Sequence, residues 1–303
     1  MTKSDKRHVS ISIMGLPGSG KTTFLAALWA LVNERRVAKV LSFASIGAND
    51  QSYVRKIVTV WWKATEQART KLSGLSAVRM NLKDSDGNLV EITMPDAPGE
   101  DFRAMWEDRE LGHVLGNSLA NANILLFVNG NKIKTPAWVT ERAAQRRATG
   151  RPKTVSLPKD WHASLAPTQV QLVDLLQLIS HAPVGRGGRK IVVMISAWDK
   201  VEGENLRPAA FLVAKLPLLA QYLEAGRDGW SSRVYGVSAQ GGDYDGNDAN
   251  AEPTEGVRPK KKPQTGRDAD RLRGVDIPAN RIRLIFDDRE SNDLTEPLQW
   301  LMQ

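Results

Sequence analysis

Residues 15 to 22 read Gly15-Leu16-Pro17-Gly18-Ser19-Gly20-Lys21-Thr22, meeting the pattern G-x-x-x-x-G-K-[ST] at every fixed position. Upstream, His8-Val9-Ser10-Ile11-Ser12-Ile13-Met14 alternates apolar and polar residues as a strand does; downstream, Thr22-Thr23-Phe24-Leu25-Ala26-Ala27-Leu28-Trp29 reads as a buried helix. Between a strand and a helix this octapeptide is a phosphate-binding loop. Its glycines let the backbone wrap closely around phosphates, and successive N–H groups with the helix dipole supply positive potential. Lys21 reaches the β- and γ-oxygens, and Thr22 offers a hydroxyl to Mg²⁺. Gly15, Pro17, Gly18, Ser19, Gly20, Lys21, Thr22 and Thr23 are therefore the candidate phosphate-binding residues, and a nucleoside triphosphate is the implied ligand. A glycine-rich turn without a ligand has no need of Lys-Thr opening an apolar helix.

The chain around this loop has 303 residues, 41% of them apolar, enough for the core of one large domain or two small ones. With no cysteine, disulfides and thiolate metal sites are excluded, and the four histidines (His8, His113, His162, His181) lack ligand spacing, so Mg²⁺ is the one metal expected. The longest apolar run, Phe24 to Val32, falls short of the ~20 residues that span a bilayer, and the start has no apolar signal segment. A cytoplasmic protein without a membrane span is expected. A net charge of +8 invites nucleic acid, through Arg142, Arg146, Arg147, Arg151, Lys153 and the run from Arg258 to Arg273. None of these stretches is interleaved with stacking aromatics, so nucleic acid is not favoured; the same charges would steer an acidic protein partner. The pair Trp61-Trp62 would anchor such a partner if exposed, although core packing is the plainer role for it.

Apolar strands alternate with helical stretches along the chain. Strands are expected at His8–Met14, Val40–Phe43, Val78–Lys83, Leu89–Met94, Ile124–Val128, Ile191–Ile195 and Val234–Val237. Helices are expected at 21–35, 51–72, 101–111, 168–181, 208–223 with a kink at Pro217, and 293–302. Runs such as Ile124-Leu125-Leu126-Phe127-Val128 are continuously apolar, as parallel strands covered on both faces must be. The predicted fold is a doubly wound α/β domain, a mostly parallel sheet with one antiparallel strand supplied by the hairpin around Asp84-Ser85-Asp86-Gly87-Asn88. Insertions at about 38–76 and 131–166 elaborate it, and the polar, Gly/Pro-rich stretch 241–274 reads as a flexible segment. One elaborated domain over 1–303 is expected.

Three further motifs stand at predicted strand ends. Asp96-Ala97-Pro98-Gly99, followed by Glu100, places a carboxylate where it can hold Mg²⁺ through water and a glycine where a backbone N–H can approach a γ-phosphate. Ser196-Ala197-Trp198-Asp199-Lys200 and Ser238-Ala239-Gln240 lie outside the carboxyl ends of their strands, where open α/β sheets bind ligands. Asp199 can accept two N–H bonds from guanine, a donor pair adenine lacks, and a backbone N–H near Ala239 can donate to the guanine carbonyl. An ordinary turn or helix cap is the plain alternative for each motif taken alone.

The order phosphate loop, D-x-P-G, [NTS]-x-x-D and S-A resembles the translation-factor-related (TRAFAC) class of GTPases, over roughly residues 8–130 and 185–240. The tail Asn292-Asp293-Leu294-Thr295-Glu296-Pro297-Leu298-Gln299-Trp300-Leu301 is similar to the ending of the bacterial double-GTPase type, whose members are thought to act in pairs in conflict or defence systems. The resemblance implies GTP/GDP as bound nucleotide, phosphate and Mg²⁺ binding by Gly15 to Thr23, γ-phosphate sensing by Asp96 and Gly99, guanine selection by Asp199, and closure of Ser238 and Ala239 over the base. The chain departs from the class at several points. Ser196-Ala197 replaces the usual Asn-Lys, removing a ring-covering alkyl stem, and leaves Trp198 to pack either near the base or at the strand end. Glu100 stands where a neutral water-positioning residue is usual and adds negative charge beside the γ-phosphate. No switch-one threonine is singled out among Thr59, Thr65, Thr70 and Ser76. The implied activity is a regulatory GTPase with slow turnover, with Lys21, Gly99 and Glu100 as its catalytic residues and a protein partner, either an activating protein or a second GTPase. An ATP-dependent P-loop NTPase and a nucleotide-stabilised interaction module with little hydrolysis remain open.

Overall fold

The computed structural model describes residues 8–66, 77–95, 105–120, 122–136, 165–182, 184–185, 188–245 and 267–303. Strand β1 (His8–Gly15) feeds helix α1 (Lys21–Asn33), followed by β2 (Ser42–Ile46), α2 (Ala48–Trp62), the hairpin β3 (Ala77–Lys83) and β4 (Leu89–Pro95), α3 (His113–Leu119), β5 (Asn123–Asn129) and α4 (Thr168–Ser180). Then come β6 (Lys190–Ser196), α5 (Pro208–Lys215), α6 (Pro217–Ala225), β7 (Ser231–Ser238), α7 (Arg267–Arg273), β8 (Arg283–Phe286), β9 (Arg289–Ser291) and α8 (Glu296–Met302).

One nine-stranded sheet has the order β2-β3-β4-β1-β5-β6-β7-β8-β9. Its centre, β4-β1-β5-β6-β7, is parallel. At its two sides β3 and β8 run against their neighbours, so a second antiparallel strand joins the one expected. The β8–β9 ribbon escaped notice because Arg283-Leu-Ile-Phe286 and Arg289-Glu-Ser291 are short and half charged. The chain leaves β1 toward β4 on one side and resumes at β5 on the other, which makes the carboxyl end of β1 the switch point where such sheets bind ligands.

Alternate residues of the central strands enter opposite layers. Ile11, Ile13, Leu125, Phe127, Val192 and Met194 meet α1, α2 and α8, while Ile124, Leu126, Ile191, Val193 and Ile195 meet α3 to α6. Phe24 of α1 packs on Phe127 with ring centroids 4.9 Å apart, both fully buried; each such side chain contributes roughly 1.5–3 kcal/mol.

Several element boundaries moved for identifiable reasons. Strand β2 starts at Ser42 instead of Val40 because the Val40 and Leu41 N–H groups donate to Asp293 Oδ2 (2.7 Å) and Thr295 Oγ1 (3.0 Å). The same two side chains form the turn before α8, which therefore begins at Glu296 and not at 293. Helix α2 starts early, at Ala48, and ends at Trp62, with Ala64 at φ +49° turning the chain; residues 67–76 lie outside the described residues. The helix expected over 101–111 is helical at 105–108, stops before Arg109 at φ +59°, and is followed by α3, which was not expected. Pro217 breaks rather than kinks its helix: Leu216 adopts φ −135°, and Gln169 Oε1 accepts the Leu218 N–H at 2.8 Å as the new helix begins. Within 241–274, read as flexible from its composition, residues 241–245 are bonded to α7 and to the end of α2, and α7 itself is helical. No helix among the described residues is long and apolar enough to cross a membrane.

Candidate functional site

The phosphate loop follows β1 with the geometry its glycines permit. Gly15 takes φ +149°, and a Cβ there would stand 2.5 Å from Phe127 O and 2.8 Å from Ser19 Oγ, so no side chain fits. Gly20 takes φ +93° as the residue before α1, where a Cβ would meet Ser196 Oγ at 3.0 Å. No side chain caps α1 and no carboxylate stands in its first turn, so the helix presents its positive end to the loop. The Lys21 ammonium folds over the loop and donates to Gly15 O (2.7 Å) and Leu16 O (3.2 Å). Thr22 and Thr23 are half-buried in the first turn.

Two side chains from neighbouring strand ends hold the loop from outside. Ser196 Oγ, at the end of β6, donates to Ser19 O at 2.7 Å, and Asn129 Nδ2, at the end of β5, donates to Gly18 O at 3.0 Å. Within the loop, Ser19 N–H donates to Leu16 O at 3.3 Å, closing a turn. Ser196, which stands where the resemblance has Asn, fastens the phosphate loop with its hydroxyl. Asn129 was not singled out, although an asparagine closing a wholly apolar strand was a signal available in the sequence. Beside the loop, a cleft of about 570 Å³ that includes open solvent is lined in part by Pro17, Phe127, Asn129, Lys132 and Gln171.

The two strand-end motifs around Asp199 and Ser238 lie side by side. Ser238, 1% exposed at the end of β7, donates from Oγ to Asp199 Oδ1 at 2.7 Å and accepts the Gly241 N–H at 3.2 Å. Ala197 at φ +54° turns the chain so that Asp199 lies on a short 3₁₀ turn, with Lys200 Nζ 3.9 Å from Asp199 Oδ2 and 2.5 Å from Asp243 Oδ1. The Ala239 carbonyl accepts the Trp61 indole N–H at 2.9 Å. Next to the motif, Arg283 of β8 donates to both oxygens of Glu202 (2.7 and 2.8 Å) and to Glu290 (2.6 and 3.0 Å), which holds both carboxyls below the usual glutamate range.

Trp198 is corrected as a base-covering residue. Its indole is 3% exposed, packs edge-on against Phe211 with centroids 5.6 Å apart, and lies so close to Gly236 that a Cβ there would stand 2.4 Å from the ring. It is the strand-end core ring. The tryptophan pair divides: Trp61 is fully buried and Trp62 is 51% exposed. Thr59 donates to Arg55 O and Thr65 to Lys63 O, both within the chain turn that carries them. Asp96, Ala97, Pro98, Gly99, Glu100, Thr70, Ser76 and the basic residues from Arg142 to Lys153 lie outside the described residues; β4, which leads to Asp96, runs parallel beside β1.

A metal at this site would be held by oxygen alone. Among the described residues no group of three or more His, Cys, Asp or Glu side chains is placed to hold one; Thr22, half-buried in the first turn of α1, would offer its hydroxyl beside oxygens from phosphate and water. That donor set suits Mg²⁺, which keeps several waters and binds through substrate phosphates.

A family model described as Double-GTPase 1 matches residues 12–301, which takes in the phosphate loop, the strand-end motifs around Asp199 and Ser238, and all of α8 but its last residue. No match was found among curated proteins.

Proposed function

The chain belongs to the Double-GTPase 1 family, and hence to the GTP-binding, GTPase-type proteins, and from that membership and the site geometry we propose a Mg²⁺-dependent, slowly hydrolysing GTP switch built as one elaborated domain. The observation that carries the reading is the joint at the end of β6. Ser196 fastens the phosphate loop while Asp199, three residues on, is gripped by Ser238 of the next strand. One short turn thereby fixes the distance between a phosphate site and a base site.

In this mechanism the loop N–H groups and Lys21 bind the β- and γ-phosphates and offset the charge that grows as the γ-phosphoryl leaves. Bound Mg²⁺ would neutralise phosphate oxygens, held by Thr22 and, through water, by Asp96. Glu100 orients the attacking water through its carboxylate, and its negative charge beside the γ-phosphate keeps turnover slow. Gly99 donates its N–H to the γ-phosphate, and loss of that phosphate releases its segment. Asp199 and the 238–240 backbone select guanine. Turnover then depends on a protein partner, a second GTPase or an activating protein that supplies an arginine, worth roughly 10³ to 10⁵ in rate. The setting the resemblance implies, a cytoplasmic bacterial conflict system, belongs to the same proposal.

Competition binding of GTP, GDP and ATP with Mg²⁺, combined with single-turnover hydrolysis, tests it. GTP should bind at least tenfold tighter than ATP and hydrolyse slowly. Equal affinity would assign an ATP-dependent NTPase, and tight GTP binding without hydrolysis, with or without partners, a nucleotide-stabilised interaction module.

A further inference from the structure

Trp61, near the end of α2, is fully buried yet carries a polar N–H, and that N–H reaches 178 residues along the chain to the Ala239 carbonyl at 2.9 Å. Buried indoles find partners, so the bond itself is ordinary; its address is not. Ala239 follows Ser238, whose hydroxyl grips Asp199. The indole is held in turn from another side. The Arg281 guanidinium lies 4.0 Å from the ring centroid and donates to the Trp61 carbonyl at 3.0 Å, and Tyr244 Oη donates to the same carbonyl at 3.3 Å. Arg281 is 4% exposed, so this cation is locked in place and the ring with it.

The geometry points to Trp61 as a positioning residue for base recognition. By holding the Ala239 carbonyl, it fixes the plane of the next peptide unit. Because that unit is planar and trans, the Gln240 N–H is aimed away from Trp61. A carbonyl released from Trp61 would let the unit rotate and blur the direction of the N–H groups offered to a guanine. Helix α2, between the phosphate loop and β3, thereby bears on nucleotide selectivity from a distance. The inference rests on the reading of Asp199, Ser238 and Ala239 as the base site.

The test uses the full chain and three probes: release of a fluorescent GDP, competition between GTP and ATP, and competition by inorganic tripolyphosphate, which has no base. Trp61→Phe keeps a ring under Arg281 and removes the donor. GDP release should quicken by about tenfold and the preference for GTP over ATP should fall by a similar factor, the worth of about one buried hydrogen bond, while tripolyphosphate competes as in the wild type. Tyr244→Phe should move the same readouts in the same direction by about twofold, and it decides the matter if Trp61→Phe does not fold. Unchanged GDP release and selectivity in the folded variant, or an equal loss of tripolyphosphate binding, would overturn the inference. Asp199→Asn is the separate control: if it fails to move preference toward xanthosine nucleotides, the base-site reading fails, whatever Trp61 does.

Discussion

The two halves of the site are built in opposite ways. The phosphate side is local: Gly15 to Thr22 form one continuous stretch from the end of β1 into α1, and hydrogen bonds from Asn129 and Ser196 support it from outside. The proposed base side is assembled from distant pieces, with Asp199 from the turn after β6, Ser238 from β7, Trp61 from α2 and, beside them, Arg283 from β8. A local loop concentrates its energetics in a few atoms and is legible in sequence. A composite site spreads its energetics over tethers and tolerates the loss of each one better.

The sharpest way to break this comparison is Lys21→Ala. Removing the ammonium should cost roughly 100-fold or more in triphosphate affinity, measured by calorimetry, with little change in melting temperature because Lys21 is half-buried at the loop and not in the core. A large stability loss would show that the loop depends on Lys21 to fold. Asp199→Asn should follow, with roughly 10- to 100-fold lost for GTP and partly regained with XTP in a competition assay. Ser196→Ala sharpens the comparison because that hydroxyl serves the phosphate side from a base-motif position. It should weaken triphosphate and tripolyphosphate alike, by about tenfold or less, and leave the GTP-to-ATP ratio unchanged.

The smallest effect should come from Arg283→Met. In the folded protein Arg283 holds the Glu202 and Glu290 pKa values below the ordinary 4.5, so the stability these carboxylates add is complete above that pH and is lost as pH falls through their lowered folded values. Melting temperature followed from pH 6 to pH 3 should fall less steeply in the variant than in the wild type. The difference should amount to about 1 kcal/mol or less, since the groups are partly exposed.

The same contrast explains what could be read from sequence. The phosphate loop, the hairpin and the central strands were legible because their signals are consecutive: a fixed octapeptide, or apolar runs such as Ile124–Val128 that only a doubly covered strand requires. The strand-end placement of Asp199 and Ser238 was legible from motif order; the hydrogen bond between them and its supports were not. Nothing near Trp61 marks Ala239 as its partner, and β8, β9 and α7 are too short and too charged for periodicity to register. Trp198 took two readings from its motif position, base packing or strand-end packing, and the pleat of β7 opposite Gly236 decides between them by making room for its ring in the core.

The grip of Asp293 and Thr295 on residues 40 and 41 bears on how the molecule is made. Those hydrogen bonds close loops of 253 and 254 residues, and Leu301 and Trp300 accept further bonds from Asn123 and Lys190. On the ribosome, the early segment leading into β2 emerges long before its partners, and two of its amide groups stay hydrated until residues 293–301 have been translated. A nascent chain stalled anywhere short of them would carry the whole phosphate loop and still lack a finished sheet edge.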